Sequence, residues 1–194
     1  MKELSKYIPK EATAQINTWL NTYNCQLKIS KPRQTKLGDY RCPQNGKGHI
    51  ISINNNLNPY AFLITLTHEL AHMMVWKQHQ NKVLPHGSEW KEMFQKMMLN
   101  FLHIFPKNVL TPLAKHLKNP KASSSQDIAL TTALRIYNPH QITTIADIPV
   151  GSTFSIPNGK IFIKLKKNRT RYQCRAKHNN RLYLFSPLTE VTLT

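Results

Sequence analysis

An α+β fold carrying a small all-β appendage is predicted for this chain of 194 residues, and three patterns predict it. Apolar residues recur at helical spacing in three stretches of the first 100 residues. Short extended runs broken by proline and glycine fill residues 26–53. Beyond residue 141 polar and apolar residues alternate between turn signals at Gly151, Asn158-Gly159 and Asn179-Asn180. The length suits one domain, or a smaller domain with an appendage. The pattern favours the second: a core over residues 1–110, a linker over 111–140 and a basic, β-rich domain over 141–194.

The elements follow in order. After Pro9, the positions Ala12, Ile16, Trp19, Leu20 and Tyr23 fall near a 3.6-residue repeat, so an amphipathic helix is expected to cover the core. "QLKIS", "KLGDYRC" and "HIISIN", separated by Pro32, Pro43 and the turn-forming "QNGKG", read as a small antiparallel sheet of about three strands. In "NNLNPYAF", Asn58 can cap a helix and Pro59 suits its first position, which predicts a helix running to about Gln80. "NKVLPHGSE" contains Pro85 and Gly87 and must be a loop. "EWKEMFQKMMLNFL" then resumes helical spacing through Trp90, Met93, Phe94, Met97 and Met98, where the methionines read as core packing rather than ligands. "TPLAKHLKNPKASSSQD" mixes proline, serine, lysine and asparagine, and marks the domain boundary.

Composition narrows the function. With 27 Lys and Arg against 9 Asp and Glu, the net charge is +18, an excess that favours a polyanion as partner through counterion release at phosphates. Three cysteines (Cys25, Cys42, Cys174), odd in number and far apart, suggest neither a disulfide framework nor a cysteine-built zinc site. The most apolar stretch, "AFLITLTHELAHMMVW", is interrupted by His68, Glu69 and His72 and is too short to span a bilayer. "MKELSKYIPKEATAQ" offers no apolar segment of the kind a secretion signal needs. A cytoplasmic monomer without membrane contact is expected.

The chemistry concentrates in "THELAHMMVWKQHQNKVLPHGSEW". On a helix, residues four apart share a face, so His68 and His72 can direct two imidazoles at one metal ion, and Glu69 stands one position round, within reach of a water there. A catalytic zinc takes three protein ligands. His79 lies seven residues past His72, about 10 Å along the axis at 1.5 Å per residue, too far to share the ion. Glu92 on the following helix is one candidate. His86, flanked by Pro85 and Gly87 where the chain turns back, is the better one.

These residues resemble the SprT-like, or Spartan-type, zinc metalloproteases. The resemblance rests on "KLGDYR", "ISINNNLNP", "THELAHMMVW" and "HGSEWKEMF", most of residues 26–100. It implies a zincin-like metalloprotease core, one zinc held by His68, His72 and His86, with His86-Gly87 and Trp90 as the mark of the third ligand, and Glu69 as the catalytic base. Relatives of this kind act on proteins crosslinked to DNA, so the resemblance implies a zinc endopeptidase in DNA-protein crosslink repair, nucleoid-associated if bacterial. At the C-terminus "RYQCRAKHNNRLYLFSP" is similar to a zinc ribbon of bacterial relatives with only Cys174 left, and a second zinc is not expected.

Nine cations, Lys160, Lys164, Lys166, Lys167, Arg169, Arg171, Arg175, Lys177 and Arg181, occupy residues 160–181 without an acid among them. Alternation in "KIFIKLKK" would put Lys160, Phe162, Lys164 and Lys166 on one face and Ile161, Ile163 and Leu165 on the other. A charged face with Phe162 among it would suit single- or double-stranded DNA. The competing function is a non-proteolytic nucleic-acid-binding or regulatory protein with a structural zinc. Glu69 argues against it, because a structural site has no use for a base.

Overall fold

A computed structural model of the chain describes residues 4–33, 35–44, 46–123 and 127–194. Asn45 of the expected turn and residues 124–126 of the expected linker lie outside these. The molecule is α+β and divides into two compact units, Met1–Pro139 and His140–Thr194.

In the first unit, α1 (Lys10–Thr22) buries the stripe Ala12, Ile16 and Leu20. Three strands follow, β1 (Cys25–Ser30), β2 (Gly38–Arg41) and β3 (His49–Asn54), in the order β1-β3-β2. β2 runs antiparallel to β3, but β1 runs parallel to it, so the sheet is mixed rather than antiparallel as expected. The cause lies between β1 and β2. Arg33 donates from Nε to Asn54 Oδ1 at 2.8 Å, from Nη1 to Ser52 Oγ at 3.0 Å and from Nη2 to the Ser52 carbonyl at 3.1 Å. Asn54 returns a bond from Nδ2 to the Lys36 carbonyl at 2.9 Å. This clamp ties the connection to the end of β3, and the chain crosses to the far edge instead of making a hairpin with β1.

The central helix α2 (Pro59–His79) starts where its cap demands. The Asn58 side-chain oxygen accepts from the Ala61 N–H at 2.9 Å, with Pro59 in the first turn. Phe62, Leu63, Leu66, Leu70 and Met73 are fully buried along it. α3 (Ser88–Leu99) packs back on α2 through Trp90, Phe94, Met97 and Met98.

The expected linker is largely helical. α4 (Lys107–Lys118) and α5 (Ile128–Arg135) bury Val109, Leu113, Leu117, Leu130 and Leu134 in the same core as α1 to α3. Prolines and serines in the segment disguise a four-residue apolar repeat, 109-113-117. Asp127 caps α5 by accepting from the Leu130 N–H at 3.2 Å. The core therefore extends past residue 110 and through residue 135.

The second unit is a five-stranded antiparallel sheet, β4 (Thr153–Ser155), β5 (Ile161–Asn168), β6 (Arg171–Ala176), β7 (Leu182–Phe185) and β8 (Thr192–Leu193), ordered β7-β6-β5-β4-β8. Gly159, at φ 81°, makes the turn from β4 to β5 with a backbone conformation that glycine adopts freely. Ile145, Ile148, Phe154, Phe162, Cys174, Ala176 and Val191 form its core. The faces of β5 are the reverse of those expected: Phe162 and Lys164 are buried, and Ile161 is 39% exposed. Ring area decides this, because the face shared by Phe154, Phe162 and Phe185, whose rings pack 4.8–6.0 Å apart, removes the most apolar surface from water. Lys164 follows Phe162 by two positions and goes in with it. Its ammonium donates to the Ile148 carbonyl at 2.6 Å and sits 4.0 Å from the centre of the Tyr172 ring. No helix among the described residues is long and apolar enough to cross a membrane.

Candidate metal centre

Helical spacing puts His68 and His72 one turn apart on α2, and the loop from α2 to α3 returns His86 to the same point. Gln80, with φ 55°, ends α2, and Gly87 precedes α3 in extended conformation. The three Nε2 atoms form a nearly equilateral triangle: His72 to His68 3.1 Å, His72 to His86 3.1 Å, His86 to His68 3.3 Å. Nitrogens each about 2.0–2.1 Å from one tetrahedral ion stand about 3.3 Å apart. Lone pairs turned toward a common point repel one another unless a cation lies there, so the donor set fits a metal ion, and these three are the group among the described residues able to hold one.

The imidazoles are kept in the ligating, neutral form. Burial pushes the His68 pKa down to about 2, with the neighbouring histidines adding to the effect. Burial and His86 take His72 down to about 4, and burial lowers His86 as well. Behind them stands Trp90, wholly buried, its ring 4.5, 5.3 and 4.8 Å from the rings of His68, His72 and His86. Trp90 in turn stacks on Phe94 at 5.2 Å, so the aromatic column of α3 fixes the back of the triad.

Glu69 shares one cleft of about 710 Å³ with the three histidines. Burial pushes its carboxyl up to about 8, and the charge of Asp39 pushes the same way, while the Tyr40 backbone N–H donates to it. β2 is thus the wall facing Glu69, and the fit is close: a Cβ added at Gly38 would stand 2.5 Å from Glu69 Oε1 and 2.9 Å from Thr65 Cγ2. A side chain at position 38 would have to displace the carboxylate.

His68, Glu69, His72 and His86 are therefore gathered in one cleft, and Glu92 is exposed on α3 away from the triad. Of the nine cations, Lys160, Lys166, Lys167, Arg169, Arg171, Arg175, Lys177 and Arg181 are exposed on β5, β6 and their turns. Lys164 is the exception, enclosed for the reason given above, and Phe162 is not available for stacking. Two contributors escaped the reading of the sequence. Gly38 and the Tyr40 N–H lie some thirty residues before Glu69, and nothing in the local pattern of "KLGDYR" says which helix it will face.

The SprT-like family model matches residues 5–110. The chain is similar to Protein SprT of Escherichia coli (strain K12 / DH10B), 55% identical over 97 residues, which are 46% of this chain and 54% of that protein. It is equally similar to Protein SprT of Shigella dysenteriae serotype 1 (strain Sd197), 55% identical over 83 residues covering 39% and 50%, and to that of Enterobacter sp. (strain 638), with the same figures. The chain spans about half the length of the curated relatives it matches. No solved structure matches it.

Proposed function

This chain belongs to the SprT-like family, and we propose that it is a zinc-dependent endopeptidase with a zincin-like core that cleaves proteins bound or crosslinked to DNA. The observation that carries the reading is the triangle of His68, His72 and His86 nitrogens with Glu69 in the same cleft. His68, His72 and His86 would hold the zinc, which when bound acidifies a water and polarises the scissile carbonyl.

The chain's own residues supply the rest. Burial raises the Glu69 carboxyl, which a cation held by the triad would offset in favour of the ionised form, and that carboxylate accepts the proton of the attacking water and hands it to the departing amine. Gly38 and the Tyr40 N–H hold that carboxylate from the β2 side. β2 is also an edge strand, so its outer backbone groups can align an extended polypeptide across the cleft by strand addition. A substrate held this way must be locally unfolded, which suits a protein distorted or trapped on DNA.

The eight exposed cations between residues 160 and 181 support recruitment to DNA. Their number and the lack of an acid among them favour phosphate tracking. Because no ring joins them from the buried Phe162, backbone contact rather than base stacking on β5 carries the affinity.

The test is a cleavage assay with zinc-loaded full-length protein on a DNA-binding protein, with and without DNA, against a chelator control. Zinc-dependent fragments, produced faster on DNA, are expected. Zinc binding without cleavage of any protein would favour a non-proteolytic role.

A further inference from the structure

The cleft that holds Glu69 and the triad extends beyond the groups that chemistry needs. Val75 and Trp76 line it from α2, Val83 and Leu84 from the loop, and Tyr40 and Cys42 from the β2 side. Trp76 stands four residues past His72, on the same face of the helix one turn on, so this second part of the cavity adjoins the triad directly.

Between Trp76 and Val83 the wall is completed by the uncharged Gln80 and Asn81. In a chain with net charge +18, no lysine or arginine among the described residues lines the cleft. Besides Glu69 the one acid among the described residues there is Asp39, whose oxygens are taken by Lys36 Nζ at 2.7 Å and Arg41 Nε at 3.0 Å. Leu84 is 74% exposed at the rim, a large aliphatic side chain with little of its surface covered. Away from Glu69, an acidic side chain entering here would find no lysine or arginine among the lining residues, and a basic one only the ion-paired Asp39. A large apolar side chain would cover Leu84 and the walls around it, and gain from leaving water.

We propose that this part of the cleft is a specificity subsite, in which Trp76, Val83 and Leu84 receive a large apolar side chain of the substrate next to the scissile bond. The inference rests on the peptidase reading given above and adds to it the class of sequence cut. Recruitment through the cations of the second unit then selects where the enzyme acts, and this subsite selects which bond it cuts.

The experiment uses the full chain loaded with zinc on a reduced, alkylated and unfolded protein, with cleaved bonds mapped by mass spectrometry. Leucine, isoleucine, methionine, valine or phenylalanine is expected at one fixed position within two residues of the cut. Leu84→Asp, at an exposed position that the fold does not need, should lower kcat/KM at those bonds about tenfold, mainly through KM, and admit lysine or arginine at that position. In parallel, the Glu69→Gln chain should bind a Gly-Ser peptide with a single central leucine about tenfold more tightly than its all-glycine-serine counterpart, in proportion to the apolar area covered. Cleavage with no shared position, or an unchanged pattern with Leu84→Asp, overturns the subsite and leaves the peptidase reading standing. No cleavage at all together with the leucine preference in binding overturns the peptidase reading and keeps the subsite. No cleavage and no preference overturns both.

Discussion

In the N-terminal unit the chemistry is drawn into a triangle of nitrogens 3.1–3.3 Å on a side, walled by a wholly buried tryptophan. In the C-terminal unit eight cations are spread over exposed strands and turns between residues 160 and 181. The first arrangement depends on positions fixed to fractions of an ångström, so loss of one atom should be felt in full. The second, on the proposed role in DNA recruitment, depends on a sum over many weak attractions, so loss of one member should be barely felt. Concentrated and distributed function are thus predicted to fail differently.

The sharpest break is Glu69→Gln, which removes the proton acceptor and leaves the ligands: hydrolysis should fall by about a thousandfold, with zinc content near one per chain by elemental analysis. A metal-loaded variant that still cleaved well would show that the base lies elsewhere. Next comes the ligand set. His86→Ala should weaken zinc binding by more than about a hundredfold, beyond what loss of an outer partner does, while Glu92→Ala leaves it unchanged in a chelator competition. The reverse ranking would move the third ligand onto α3.

Gly38→Ala should lower kcat by about tenfold at unchanged metal content, because its Cβ must push the Glu69 carboxylate aside. Full activity would mean that β2 yields at little cost. For the distributed unit, replacing Lys166, Lys167, Arg169 and Arg171 by serine should weaken DNA binding and make the dependence of log K on log salt shallower by about 0.9 for each phosphate no longer neutralised, as read by anisotropy titrations at several salt concentrations. Each single replacement should cost only a few-fold. The smallest effect is the most discriminating one for the faces of β5: Lys164→Met should leave DNA affinity and salt slope unchanged, since its ammonium is enclosed against Ile148 and Tyr172. A salt slope reduced as much as by Lys166→Met would put Lys164 back among the surface cations.

The same contrast explains what could be read from the sequence. Asn58-Pro59 sets the start of α2, and His68 and His72 at four-residue spacing have one arrangement on a helix, so the part of the site that α2 carries is legible. Alternation on a strand has two arrangements, because either face can be the inner one. In "KIFIKLKK" the aliphatic face and the face with Phe162 compete, and the outcome is set by Phe154 and Phe185, which lie on other strands. Gly38 is illegible for a related reason, since its neighbour Glu69 is brought to it by tertiary packing alone. α4 and α5 are hidden by composition: prolines and serines suggest a linker, although Val109, Leu113 and Leu117 keep a helical repeat. The parallel direction of β1 is equally hidden, because the Arg33 clamp, which sends the chain across the sheet, joins residues some twenty positions apart.

Trp90 has one more consequence. The chain contains three tryptophans, at positions 19, 76 and 90, and only the indole of Trp90 packs on all three imidazoles of the triad. An indole's fluorescence is sensitive to the charge and electron demand of a ring in contact with it. The protein therefore carries its own optical gauge of the centre: with Trp19 and Trp76 replaced by phenylalanine, the remaining emission should report metal loading and loss in real time, without dye or label.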